Sequence, residues 1–230
     1  MEGGDFSGVA GSKVRALDVL VDPAVAPFAR LLFAHGAGAP RDSDFMNNMA
    51  AALAERGVEV VRFEFPYMAK RRSDGKRRPP DRLDVLLHCW DGIIGSYTRE
   101  SLPLFIGGKS MGGRMASIWA AENVEENCRG LVCFGYPFHP AGKPDKLRIT
   151  HLPACHIPLL IVQGERDPLG SREEVATYGL TGSMTFCWLA SADHDLKPLR
   201  RSGHTLQQHI NTAADAAVTF MRSMLKVSVS

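Results

Sequence analysis

The chain reads as an α/β domain with a mostly parallel central sheet of about seven strands flanked by helices. Three observations predict this class. Short apolar runs alternate with longer segments of helical periodicity. Several of the runs (LLFA, LFIG, LVCF, LLIV) are continuous rather than alternating, as strands covered by helices on both faces should be. The length of 230 residues suits one domain with a large core, and no repeat or linker divides it.

The elements follow in order. Strands are expected at Val14–Val21, Arg30–Ala34, Val58–Glu64, Pro103–Gly107, Gly130–Phe134, Leu159–Gln163 and Thr185–Leu189. Phe45–Arg56 places Phe45, Met49, Ala52 and Leu53 on one helical face, and Gly57 is its stop signal. Asp81–Ser96 carries Leu83, Leu86, Leu87, Trp90 and Ile94 at helical spacing. Ser110–Glu122 follows a strand directly, and Leu206–Leu225 is the last helix. Residues 1–12 are expected to be flexible, and the whole of 1–230 to form a single domain.

Composition narrows the classes. Lys+Arg 27 against Asp+Glu 25 leaves +2, so no global basic excess calls for nucleic acid. No apolar run has the length of a membrane span, and the acidic N-terminus lacks the apolar core of a signal peptide. Five cysteines without CxxC spacing argue against a zinc site or disulfide framework and for reduced thiols in a cytoplasmic protein. One segment departs from the average. Lys70–Arg82 (KRRSDGKRRPPDR) holds seven Lys/Arg and two Asp, and Gly75 with Pro79-Pro80 should keep it irregular. It is either a solvated loop or a positive rim that attracts an anionic substrate or a partner.

The chemistry concentrates in Gly107-Gly108-Lys109-Ser110-Met111-Gly112-Gly113. This is G-x-S-x-G at Gly108, Ser110 and Gly112, after an apolar strand and before a helix. A sharp strand-to-helix turn lifts a serine hydroxyl clear of the sheet, and small flanking residues permit the close packing such a turn needs. A P-loop is the rival reading, but the required upstream glycine is Pro103. A serine needs a base, and a base needs an orienting carboxylate. Asp167 lies at the tip of QGERDP after one strand, and His194 lies in SADHDL after the next. Both then reach the carboxyl edge of the sheet that Ser110 occupies. Glu165, Asp193 and Asp195 are alternative carboxylates. An oxyanion needs backbone donors. Met111 N–H follows the serine, and Ala37 N–H lies in the glycine-rich loop His35-Gly36-Ala37-Gly38. His35 should shape this loop rather than act as a base.

The set HGAGAP, FEFPY, GGKSMGG, QGERDPLG and SADHDL resembles the α/β-hydrolase superfamily. More narrowly it resembles the dienelactone-hydrolase-like group that includes the testis-expressed and NSL-complex hydrolase-like proteins. The resemblance implies Ser110 as nucleophile, Asp167 as acid, His194 as base, and Ala37 and Met111 as oxyanion donors. Hydrolysis by such a triad needs no metal and no organic cofactor, so none is expected. Dienelactone hydrolases carry cysteine where this chain has Ser110, so a dienelactone substrate is not implied. Gly135–His156 occupies the place of a lid and is too short for a large helical cap, so an open, shallow site is expected. His35, Gly36, Gly38, Tyr136 and Phe138 are the expected pocket residues, Tyr136 and Phe138 because they leave a strand end on the site side.

The expected activity is hydrolysis of a small carboxylic ester or thioester through a Ser-Asp-His triad and an acyl-enzyme. A peptidase or acyltransferase would use the same residues. The alternative is an interaction module that keeps the fold and presents the basic 70–82 loop. The expected partner is a small-molecule ester, with neither nucleic acid nor membrane, and the oligomeric state is left open.

Overall fold

The continuous apolar runs become the middle of one twisted sheet. In the computed structural model, which describes residues 18–180 and 184–227, seven strands form a single sheet. They are β1 (Val19–Asp22), β2 (Ala29–Ala34), β3 (Val58–Phe63), β4 (Leu104–Lys109), β5 (Cys128–Phe134), β6 (Leu159–Gly164) and β7 (Met184–Leu189). The spatial order is β1-β3-β2-β4-β5-β6-β7. Only the β1–β3 pairing is antiparallel; the other five are parallel. β2, β4 and β6 are buried along their whole length, which is why they read as unbroken apolar runs. The expected first strand, Val14–Val21, is described only from its Val19 end, and residues 1–12 lie outside the described residues.

Helices cover both faces. α1 (Asp44–Ala54) and α6 (Leu206–Val227) bury Met49, Leu53, Ile210 and Ala217 against one face. α3 (Leu83–Tyr97) and α4 (Met111–Glu122) bury Trp90, Ile94, Met115 and Trp119 against the other. Two helices were not legible. α2 (Pro66–Asp74) takes the first part of the basic run, so the expectation that Lys70–Arg82 is irregular throughout is corrected. Pro66 starts it, where a missing N–H costs nothing. Asp81 Oδ2 accepts from Tyr67 N at 2.7 Å, and Gly75 at φ 69° ends it. α5 (Arg172–Val175) is one turn, closed by a capping box between Ser171 and Glu174.

A buried cation fastens the antiparallel edge. Arg62 on β3 makes a two-pronged ion pair with Asp22 on β1, at 2.8 and 2.9 Å. The stretch Gly135–His156 holds only a short 3-10 turn at Leu152–Ala154, so no helical cap covers the carboxyl edge. β2, β4, β6 and β7 all end at that edge, and the loops beyond them carry the candidate residues.

Candidate active site

The turn from β4 into α4 is sharp and centred on Ser110. Ser110 sits at φ 51°, ψ −116°, a conformation that costs a residue with a side chain of order 1–3 kcal/mol. The packing around it explains the glycines. A Cβ on Gly108 would lie 2.6 Å from the Ala34 carbonyl oxygen, and one on Gly112 would lie 2.5 Å from the same atom. β2 therefore crosses under the turn too closely for any side chain, and the strained serine is held from below.

The strained turn points the hydroxyl at a histidine. Ser110 Oγ lies 2.9 Å from His194 Nε2, and His194 Nδ1 lies 2.8 Å from Asp167 Oδ2. An ionised carboxylate only accepts, so Nδ1 carries the proton and Nε2 is left to accept from the serine hydroxyl. Asp167 is fully buried and further fixed. Gln163 Nε2 donates to its Oδ2 at 2.8 Å, and Leu169 N donates to its Oδ1 at 2.8 Å. The nearby carboxylates are engaged elsewhere: Glu165 with Arg172 and the Ser191 N–H, Asp193 with the Asp195 and Lys197 N–H groups.

Lys109, one residue before the serine, supports the histidine from behind. Its Nζ donates to the His194 carbonyl oxygen at 2.7 Å and pairs with Asp195 at 3.2 Å. Burial pulls its ammonium below the ordinary lysine value, while Asp195 works against that. Gly135, at φ 64°, lets the chain leaving β5 pass beneath this loop; a Cβ there would stand 2.7 Å from the His194 carbonyl oxygen.

The glycine-rich loop after β2 lies against the elbow: a Cβ on Gly36 would stand 3.7 Å from the Ser110 Cβ. His35 is buried and neutral, its pKa lowered chiefly by desolvation. Its Nε2 accepts from Phe65 N at 3.2 Å, and its Nδ1 faces the Gly36 carbonyl oxygen at 2.7 Å. The Tyr67 hydroxyl donates to the Ala37 carbonyl oxygen at 3.0 Å. These bonds fix the loop through its carbonyls and leave Ala37 at the rim of the cavity beside Ser110. Met111 is the first residue of α4, so its N–H has no acceptor within the helix.

That cavity, about 510 Å³, touches Ala37, Ser110 and Met111. Pro80, Leu83, Leu86 and Met115 make its apolar wall, and Pro137, Pro140, Ala141 and Leu169 another. Arg114 and Arg148 are its charged members. Several expected pocket residues are corrected. Tyr136 and Phe138 are fully buried and do not face the cavity. After Gly135 the chain turns inward: the Tyr136 hydroxyl reaches the Arg148 carbonyl oxygen, and Phe138 packs on Tyr136, Tyr178 and Phe186. His35 and Gly36 sit behind the rim and also do not line it. Gly38 opens instead onto an adjoining groove with Arg71, Arg77 and Arg78.

A second serine–histidine contact lies seven residues along α4. Ser117 Oγ is 2.8 Å from His151 Nε2, which also faces the Tyr136 hydroxyl at 3.3 Å. Desolvation, with Arg114 adding to it, pushes the His151 pKa down to about 4. Among the described residues no carboxylate bonds to His151, and Ser117 is fully buried inside the core.

The comparisons agree with this architecture. A family model for the alpha/beta hydrolase domain matches residues 27–222. A dienelactone hydrolase from Anabaena variabilis superposes with a TM-score of 0.68 at 23% identity, over 89% of this chain and 90% of that one. Est1E from Butyrivibrio proteoclasticus gives 0.64 at 14% identity, over 90% and 94%. An α/β serine hydrolase without lid from Xanthomonas campestris gives 0.64 at 18% identity, over 89% of each chain. With the family match spanning most of the sequence and the seven-stranded fold around it, the chain belongs to the α/β-hydrolases, with a dienelactone-hydrolase-like architecture.

Proposed function

We propose that this hydrolase is a carboxylesterase-like serine enzyme that cleaves a small ester or thioester. The observation that carries the reading is the unbroken chain from Ser110 Oγ through His194 to buried Asp167, opening onto a cavity of about 510 Å³. Ser110 attacks the carbonyl while His194 Nε2 takes its proton. Asp167 holds the imidazole tautomer and stabilises the imidazolium. The oxyanion receives the N–H groups of Ala37 and Met111, each worth about 3 kcal/mol in such sites. His194 returns the proton to the leaving group, then activates the water that releases the acyl group. The cavity volume falls in the range of small-ligand pockets, and the absence of a helical cap favours small or protruding esters. Five free thiols fit a cytoplasmic setting. Among the described residues no helix is long and apolar enough to cross a membrane.

Fluorophosphonate labelling of the wild type and of Ser110→Ala, followed by a short-chain p-nitrophenyl ester panel, tests the proposal. Labelling should vanish in the variant, and ester turnover should fall by about 10⁶-fold. A folded wild-type protein that neither labels nor turns over an ester would end the reading, and the interaction-module alternative would take its place.

A further inference from the structure

The cavity beside Ser110 carries two positive charges that the protein does not neutralise. Arg114 follows Ser110 by one turn of α4, its N–H donating to the Ser110 carbonyl oxygen at 3.0 Å. Residues four apart on a helix stand about 5–6 Å from one another. Arg148 enters the same cavity from the loop after β5. No Asp or Glu lines that cavity, and among the described residues neither guanidinium has an ion-pair partner. Arg114 Nε is buried without any hydrogen-bond partner. The buried arginines, by contrast, are paired: Arg30 with Glu59, Arg41 with Asp18, Arg62 with Asp22.

Leaving a buried donor such as Arg114 Nε unsatisfied costs free energy. The two arginines also repel each other. Burial lowers the Arg114 pKa, and Arg148 lowers it further. An apolar residue at either position would be cheaper if the cavity held only a neutral ligand. A bound carboxylate would satisfy the Arg114 donor and balance both charges, because planar guanidinium forks match carboxylate oxygens.

We infer that Arg114 and Arg148 form a carboxylate cradle, so that the substrate is an ester or thioester that also bears a carboxylate. The inference rests on the serine hydrolase reading and names the substrate class of that same site. The surroundings agree with it. Arg77 faces the adjoining groove that shares Ala37 with the cavity, so the approach to the site is also positive. Arg72, by contrast, is spent on Asp42 and Glu64, and Arg78 on Asp74.

The test compares matched esters. Monomethyl adipate is set against methyl hexanoate, which places the charge on the acyl half. O-acetylglycolate is set against ethyl acetate, which places it on the alcohol half. The anionic member of one pair should show a kcat/KM at least tenfold higher, since hydrogen bonds to charged groups contribute about 1.5–3 kcal/mol. That preference should collapse in Arg114→Gln and invert in Arg148→Glu. A binding arm is independent of turnover. Adipate should bind Ser110→Ala more tightly than hexane-1,6-diol does, lose affinity with added salt, and fail to bind the same protein carrying Arg148→Glu. Labelled, active wild-type protein without anionic preference in either pair would overturn the cradle and leave the hydrolase reading standing. Adipate binding that ignores both arginine substitutions would also overturn it. Absent labelling with arginine-dependent adipate binding would preserve the cradle and remove the hydrolase.

Discussion

Two serine–histidine contacts lie on α4 and its first turn, and their distances are nearly the same: 2.9 Å for Ser110–His194 and 2.8 Å for Ser117–His151. What separates them is the far side of each ring. His194 has a buried carboxylate on Nδ1, so a proton taken from the serine is stabilised where it arrives. His151 has neighbours that disfavour its charged form, Arg114 among them, and its pKa falls to about 4. A base so weak cannot hold a serine proton near neutrality. Ser110 also stands on a strained turn at a cavity, whereas Ser117 is sealed in the core and donates within its own helix, to the Arg114 carbonyl oxygen. Proximity of hydroxyl and imidazole is therefore common to the pair proposed as reactive and to a structural one. The charge behind the histidine and access to substrate distinguish them.

The comparison breaks or sharpens under substitution. The largest expected contrast is between the two serines. Ser110→Ala should abolish fluorophosphonate labelling, while Ser117→Ala should label normally and lose only about 1 kcal/mol of stability by chemical denaturation. Labelling lost in folded Ser117→Ala would reverse the assignment. Next, Asp167→Asn should leave the geometry nearly intact yet lower ester kcat by about 10⁴-fold, because the amide favours the wrong imidazole tautomer. An Asp167→Asn enzyme with full activity would point to a different acid. The smallest effect concerns His151. Its folded pKa lies below the unfolded value, so the unfolded state binds more protons between about pH 6.5 and 4. The stability it contributes is present above pH 6.5 and is lost as pH falls through 4. His151→Gln should flatten the acid limb of the stability profile, measured by urea denaturation across that window. An unchanged limb would place the acid sensitivity elsewhere.

The legibility of the site follows the range of the interactions that build it. The elbow was readable because its constraint is local: Gly108 and Gly112 must be small where the chain doubles over β2. The order of Ser110, Asp167 and His194 along strand ends was readable because parallel strands bring their carboxyl ends to one edge. Tyr136 and Phe138 were misplaced because a strand end tells where the backbone exits, not which way it turns. The positive φ at Gly135 turned the chain inward, where Phe138 stacks on Phe186 and Tyr136 packs on Phe138. Residues 66–74 hid a helix because a dense basic run with Gly75 and two prolines beyond looks like a breaker. The cap from Asp81, fourteen residues after Tyr67, lies outside any local window.

By itself the sequence determined the fold class, the central strands and which serine stands on the elbow. Hydrophobic periodicity and turn sterics act over a few residues and leave their mark there. Only the tertiary structure decided which polar groups face one another. It set Gln163 and the Leu169 N–H on Asp167, Lys109 behind His194, and Arg114 and Arg148 on one cavity that no carboxylate lines. Those pairings depend on distances between separate loops. Electrostatic and hydrogen-bond energies fall steeply with such distances, so the same residues could be partners, neighbours or strangers until the chain is folded.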